Sequence, residues 1–535
     1  MTDFGAANWW ILSLYILANL GLGFVLSKKV HSSQDLFLGD RSIPWWAIGI
    51  SVVSTYVSAL TFLGGPAWAY TEGLSVIAIH LNYPLVVVVV ITFFLPFFYN
   101  SGVASIYDYQ ERRFGTKSRV VMAGVFLVSQ GATAAAILYA TSLVLEFITG
   151  IPVAYCIAGV TVIALGYTIM GGIAAVIWTD VIQAAILFFG ALVIFYSLAS
   201  GFPMPLSDVL GQASEAGQLR ALDPSLDLTR ATTVWSGVIA MTLFHITVYG
   251  ANQMMVQRSL TAKTIGDAKK SMLTMGFAAF FIYLLFFLMG VLLNVHYDGR
   301  SFENGNTIIL QFAYELGIPG LMGLIAAAVM AASMSSLDSA FNSMSTVCVV
   351  DFYQRYFKPQ SSDREILVAS RVFMLVCALA IVVPALLFAE AEGSILETLS
   401  AVASYFVGAK LSMFGLGFFS RHTTERGLLV GVLAGFVVVW FAATQTDIAW
   451  PWFAVIGGAV NASVSLVASL LIDGRQPDWH PYTVIGQRNA FKEQGLPEKE
   501  EGWFRLPGGL DGPSKVLLAF FIVTLAGLYA FQSAF

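Results

Sequence analysis

The sequence predicts an all-α, polytopic membrane protein, on three observations. Of its 535 residues, 57% are hydrophobic and only 11% are charged, where soluble domains carry roughly 25% charge. Mean hydropathy is +0.77. The charges fall in short runs between long apolar ones, about 18 residues or more, the length at which a helix crosses a bilayer. Such runs are too long and too continuous for the alternating strands of a barrel. No basic stripe points to nucleic acid. Cys156, Cys348 and Cys377 lie inside apolar runs without metal-ligand spacing and read as packing residues. The start, MTDFGAA, lacks the basic region of a signal peptide.

Fourteen spans follow in order. The first, 9–27, stands apart at the N-terminus. The second, 46–72, contains Gly64-Gly65-Pro66, which removes side-chain support and a backbone donor at depth and predicts a break there. Spans 75–98, 117–148, 152–170 and 174–200 come next. A polar connection, 201–232, carries a stretch, GQASEAGQLRALDPSLD, expected to hold a short surface helix. The seventh span, 233–252, ends in Tyr249-Gly250-Ala251-Asn252-Gln253, a second predicted break. Spans 271–295, 319–350, 365–390, 396–418, 426–443 and 451–473 precede a loop, 474–514, rich in Pro, Gly and charge. Span 515–533 is the last. His480, alone in that loop, reads as structural.

With the N-terminus outside, the inside connections hold every one of the 27 Lys and Arg except Arg220, Arg230 and Arg300, outside, and Lys410, within a span. The positive-inside rule then puts both termini outside.

The ninth span carries a polar stripe. Ser335, Asp338, Ser339, Asn342 and Thr346 share one helix face. Serines there also suit a plain helix–helix seam, but a carboxylate at bilayer depth points to function. Two interrupted helices five spans apart point to an inverted-repeat transporter site. Lys410 is stranded at depth; pairing with a carboxylate, meeting an anionic solute and snorkelling toward Arg421 are all open to it.

Four stretches carry a family likeness: Ile43-Pro44-Trp45-Trp46-Ala47; Gly171-Gly172-Ile173-Ala174-Ala175-Val176-Ile177-Trp178-Thr179-Asp180-Val181-Ile182-Gln183; Asn252-Gln253 with Gln257-Arg258; and Met334-Ser335-Ser336-Leu337-Asp338-Ser339 through Asp351-Phe352-Tyr353. In these the chain resembles the sodium:solute symporter family, whose members carry glucose, proline, sialic acid, iodide, monocarboxylates and vitamins. The resemblance implies a LeuT-type fold of two five-helix inverted repeats, 46–200 and 233–418, after an extra N-terminal helix with its loop (1–45). The outside loop 201–232 separates the repeats, and accessory helices with the cytoplasmic loop 474–514 complete 419–535. It implies a Na+ site formed by the carbonyls of Ser54, Val57 and Ala332 and the hydroxyls of Ser335 and Ser336. A second Na+ site would use Asp180, Ser335 and Ser339, with Asp338 where relatives can carry Ser. The solute would meet Thr61, His80, His245, Val248, Tyr249 and Ser404. Sugar carriers typically hold Gln, Glu and Asn at the counterparts of Thr61, His80 and His245, so a plain hexose fits poorly. The Ser58-Ala59 region and Ser105-Ile106-Tyr107-Asp108-Tyr109 look more like the branch carrying monocarboxylates, vitamins and iodide.

The expected function is therefore Na+-coupled symport of a small organic solute (an organic acid, sugar acid or related polar solute) by alternating access. Na+ is the coupling ion. The location is the cell membrane, as a multi-pass protein (the inner membrane in a Gram-negative cell), with Na+, lipid and solute as partners and no nucleic acid; the oligomeric state is left open, a monomer among the options. The rival readings are a sodium/sugar symporter with an atypical pocket and a transporter-like sensor acting with a partner. An enzyme is not expected, since no span pairs a nucleophile with a base.

Overall fold

A computed structural model describes residues 4–27, 36–37, 41–101, 105–388 and 395–535. Lys28 and Lys29, part of the charge pattern above, lie outside them. With no water in the hydrocarbon, backbone donors and acceptors are satisfied within each segment, so the apolar runs fold as helices. Among the described residues, eleven helices are long and apolar enough to cross a membrane, joined by shorter apolar helices at Val153–Ile169 and Ser236–Gly250.

In chain order the helices that build the bundle are α1 (Ala6–Ser27), α2 (Trp45–Tyr56), α3 (Ala59–Glu72), α4 (Tyr83–Val89), α5 (Leu95–Ser101), α6 (Thr116–Thr149), α7 (Val153–Ser200), α8 (Met241–Gly250), α9 (Gln253–Ser259), α10 (Ile265–His296), α11 (Leu321–Val347), α12 (Asp363–Leu387), α13 (Ile395–Phe419), α14 (Glu425–Gln445), α15 (Trp452–Ile472) and α16 (Gly512–Ala534). The predicted fifth and sixth spans are two arms of α7, which turns at Gly172 with φ +58°. That backbone favours glycine, and a Cβ there would also sit 2.9 Å from the Leu36 carbonyl oxygen. The surface helix lies at Leu206–Glu215, earlier than predicted; the chain leaves it at Gly217, φ +74°.

α11 is the centre of the bundle. It packs on α7, α6, α1 and α12, and all of its residues but Met322 and Leu324 are buried. Close approach shapes the periphery too. A Cβ at Gly427 or Gly431 of α14 would collide with Ser469 or Ser465 of α15, and one at Gly435 would meet Asn461 at 3.1 Å.

Where α6 begins, Arg119 ties three segments together. Its Nε donates to Asp351 Oδ1 (2.6 Å) and one terminal nitrogen donates to Asp108 (3.0 Å) and Glu111 (2.8 Å). Ser105 holds the other Asp351 oxygen at 2.7 Å.

Candidate functional site

The first break is not at Gly64-Gly65-Pro66. These residues sit inside α3, where Gly64 lets Leu396 approach (a Cβ would meet its Cβ at 2.9 Å) and Gly65 faces Phe287. Their missing side chains serve packing rather than a bend. The chain breaks one to two turns earlier, between α2 and α3. Val57 has left the helix (φ −80°, ψ 83°) and Ser58 is extended. Ser58 Oγ accepts from the Leu60 amide at 3.2 Å and caps the new helix. The second break falls where predicted, between α8 and α9. Asn252 is extended there, its Oδ1 accepts from the Met254 amide (2.9 Å), and its Nδ2 donates to Gln130 Oε1 (3.2 Å).

The first break redirects amides. The Ser58 N–H donates to the Tyr56 carbonyl and the Thr61 N–H to that of Ser58. The helical acceptors they would have used are the carbonyls of Ser54 and Val57, two of the expected Na+ ligands. α11 faces this point: Ser336 Oγ donates to the Thr55 carbonyl at 2.7 Å and approaches that of Ala332 at 3.4 Å. The hydroxyls of Ser335 and Ser54 are buried with no hydrogen-bond partner. Buried hydroxyls are normally paired, so oxygens with spare capacity beside released carbonyls make a donor set suited to a hard monovalent cation. Ser54, Val57, Ala332, Ser335 and Ser336 are thus all at or near the contact of α2 with α11.

Beside it lies a cavity of about 120 Å³ lined by α2, α3, α6, α8, α10, α11 and α13. Thr61, His80, His245 and Val248 line it together. His245 is fully committed. Asn82 Nδ2 donates to the carbonyls of Ile79 (2.9 Å) and Gly237 (3.1 Å), so its Oδ1 is the atom that accepts from His245 Nδ1 (2.7 Å). His245 Nε2 then accepts from the Tyr56 hydroxyl at 2.8 Å. This is the neutral hydrogen-bonding arrangement, not a charged carboxylate partner. His80 differs. Nδ1 meets the Tyr83 hydroxyl at 2.9 Å, its ring stacks on Tyr283 with centroids 3.5 Å apart, and Nε2 is buried without a partner.

Two expected solute contacts are displaced by one residue of helical phase. On α13 the lining residues are Leu396, Leu399, Ser400, Ala403, Val407 and Lys410. Ser404 faces away and donates to the Ala401 carbonyl at 2.6 Å. Tyr249 packs on Tyr56 and Tyr83 behind the wall, with ring centroids 5.4 and 5.9 Å away, and Val248 takes the lining position.

The second expected Na+ site holds a side chain whose role the sequence did not suggest. The Arg258 guanidinium stands between Asp180 and Ser339. It donates to Asp180 Oδ2 at 3.3 Å, to Ser51 Oγ at 2.8 Å, to the Met254 carbonyl at 2.6 Å, and to Ser339 Oγ. Ser51 in turn donates to Asp180 Oδ2. Asp338 accepts from Tyr167 (2.8 Å) and Ser339 (3.0 Å). Arg258, Asp180 and Asp338 are all essentially buried. Two carboxylates share one guanidinium, and Asp180 Oδ1 has no hydrogen-bond partner. Arg258 is visible in the sequence only as one residue of a motif; its partners lie 78 and 81 residues away, which no local spacing reveals.

Comparison with known proteins gives a consistent result. A sequence profile of the sodium:solute symporter family matches residues 36–435. A sodium/sialic acid symporter of Proteus mirabilis is 29% identical over 89% of this chain and 97% of its own length. A sodium/glucose cotransporter of Vibrio parahaemolyticus is 29% identical over 79% of this chain and 82% of its own. Among solved structures, a substrate-bound, outward-open Na+-coupled sialic acid symporter superposes with a TM-score of 0.82 at 27% identity, covering 89% of this chain and all of that one.

Proposed function

The chain belongs to the sodium:solute symporter family, a family of transporters rather than enzymes, and from that premise we propose that it is a Na+-coupled symporter importing a small polar organic solute. One observation carries the reading. An interrupted helix releases the carbonyls of Ser54 and Val57 against the unpartnered hydroxyl of Ser335 and the hydroxyl of Ser336, at the wall of a cavity that residues of both breaks line. Ion and solute then share one midplane site, and each stabilises the state that binds the other.

In this reading the Na+ ligands are the carbonyls of Ser54, Val57 and Ala332 with Ser335 and Ser336. The solute meets Thr61, His80 and Val248, with His245 as a neutral partner, while Tyr249 and Ser404 support the wall. The inverted repeats are 46–200 and 233–418, fourteen spans cross the cell membrane, and both termini face outward. At Asp180, Asp338 and Ser339 the Arg258 guanidinium stands where a second Na+ is expected, so a second ion would bind there only with Arg258 displaced. Each added Na+ contributes roughly 2.3 kcal/mol per 100 mV of membrane potential.

The test is uptake into proteoliposomes. Labelled carboxylates, sugar acids, sugars and amino acids are offered under an inward Na+ gradient and under choline. Na+-dependent accumulation of at least one is expected. Absence of Na+-dependent uptake across the panel, together with no thermal stabilisation by Na+ alone, would overturn the reading and favour a partner-coupled sensor. Uptake of hexose alone would favour the sugar carrier.

A further inference from the structure

Resting on that transport reading, we propose that the solute is a small organic anion and that Lys410 is the residue that binds its carboxylate. Among the described residues that line the cavity there is no Asp or Glu, and Lys410 is the single formal charge. It lies on the lining face of α13 with Leu399, Ala403 and Val407, at helical spacing. Lys410 is 8% exposed, and its ammonium donates to Ser129 Oγ at 2.7 Å. An ammonium has three donors, and no described carboxylate is recorded within ion-pair distance of this one. It has not snorkelled out of the bundle, because its tip is turned to Ser129 in the wall. A buried cation lacking a counter-charge is costly at membrane depth, and an arriving anion removes that cost where a neutral solute does not.

His80 supplies a second donor. Its Nδ1 meets the Tyr83 hydroxyl at 2.9 Å; in the tautomer that accepts there, the proton sits on Nε2, the buried atom without a partner, on a residue lining the same cavity. One fixed positive charge, one neutral N–H donor and a largely apolar remainder suit a monoanion with a compact organic body. Such an anion and one Na+ enter together without net charge.

The experiment uses the full chain in lipid nanodiscs, melted in Na+ or choline at matched ionic strength. The probes are acid and neutral pairs: L-lactate with L-lactamide, D-gluconate with D-glucose, nicotinate with nicotinamide. At least one acid should raise the melting temperature in Na+ and not in choline, and its neutral counterpart should not. Lys410→Met should keep the shift produced by Na+ alone but need roughly a hundredfold more acid, the scale of a broken buried ion pair. Lys410→Arg should retain most of the response. Equal shifts from acids and neutral counterparts, no shift from any acid, or an undiminished response in Lys410→Met would overturn the proposal. The acid-against-neutral comparison in the wild type decides the solute class without any variant. Failure of Na+ alone to stabilise the wild type would instead count against the transport reading.

Discussion

Replacing Arg258 by Met removes a guanidinium that makes four recorded hydrogen bonds, to Asp180, Ser51, Met254 and Ser339, and keeps much of the apolar stem. The groups left behind are two buried carboxylates, Asp180 and Asp338, with no base between them. Removing one partner of a buried pair costs about 3–5 kcal/mol, and like charges left together add to that. Two consequences follow. In choline the variant should unfold well below the wild type. Na+ should recover a large part of the loss, because the vacated oxygens of Asp180 and Ser339, with the Ser335 hydroxyl, can then hold it; a site saturated a hundredfold above its dissociation constant contributes about 2.7 kcal/mol. The double variant Asp180→Asn/Arg258→Met removes one carboxylate with the guanidinium and should be more stable in choline than Arg258→Met alone. The assay is thermal melting in nanodiscs over a Na+ titration, read as a double-mutant cycle. If the two single costs add, with a coupling energy under about 0.5 kcal/mol, or if Na+ stabilises the variant no more than the wild type, Arg258 does not stand in a cation's place.

Four further outcomes are expected. Ser335→Ala and Ser336→Ala should each raise the half-saturating Na+ concentration more than they change solute affinity at saturating Na+, measured by uptake; unchanged Na+ dependence in both removes them from the site. Arg119→Gln leaves the buried Asp351 without its base, while Asp108 and Glu111 keep Arg112 and Arg355, and should cost about 3 kcal/mol or more; a melting temperature equal to wild type would refute the tie. Gly237→Ala drives a Cβ into the Ala78 carbonyl and should destabilise by about 1–3 kcal/mol while disturbing the Asn82–His245 bond, so a melting temperature equal to wild type would refute the packing described. His480, outside the spans, is held below its ordinary value of 6.5 by burial and by Arg113. The unfolded chain therefore binds its proton first as pH falls, stability contributed by this residue is lost below about that pH, and His480→Asn should flatten the decline in melting temperature over that range.

Most of the helical architecture is legible because one signal dominates it: apolar length. The break at Asn252 is legible as well, since Gly250 and a capping Asn interrupt a run in sequence. The first break is not. Gly64-Gly65-Pro66 carries the stronger local signal, yet α3 continues through it, because what those residues provide is room for Leu396 and Phe287, elements far away in sequence. The real break, Val57-Ser58, contains neither Gly nor Pro and depends on contacts with α11. Ser404 and Tyr249 show a different limit. A pocket inferred by likeness is good to about one residue, and one residue is 100° of helix, enough to turn a side chain from a cavity into a wall. Lys410 could be found as a stranded charge, but whether it faced solute, lipid or cytoplasm depended on where Ser129 came to lie.

The glycine seam between α14 and α15 has a mechanical meaning. Gly427, Gly431 and Gly435 form a track against Ser469, Ser465 and Asn461, with backbones so close that a Cβ at Gly427 or Gly431 would collide with the facing helix. A joint of this kind neither ratchets nor hinges; the two helices translate and rotate as one strut. Whatever part of the molecule swings during a transport cycle, this pair is a stiff beam, and the flexing must be taken up elsewhere, at the softer joints that end in Ser58 and Asn252. A cross-link between α14 and α15 beside these glycines should therefore leave uptake unchanged, whereas one across either broken helix should stop it.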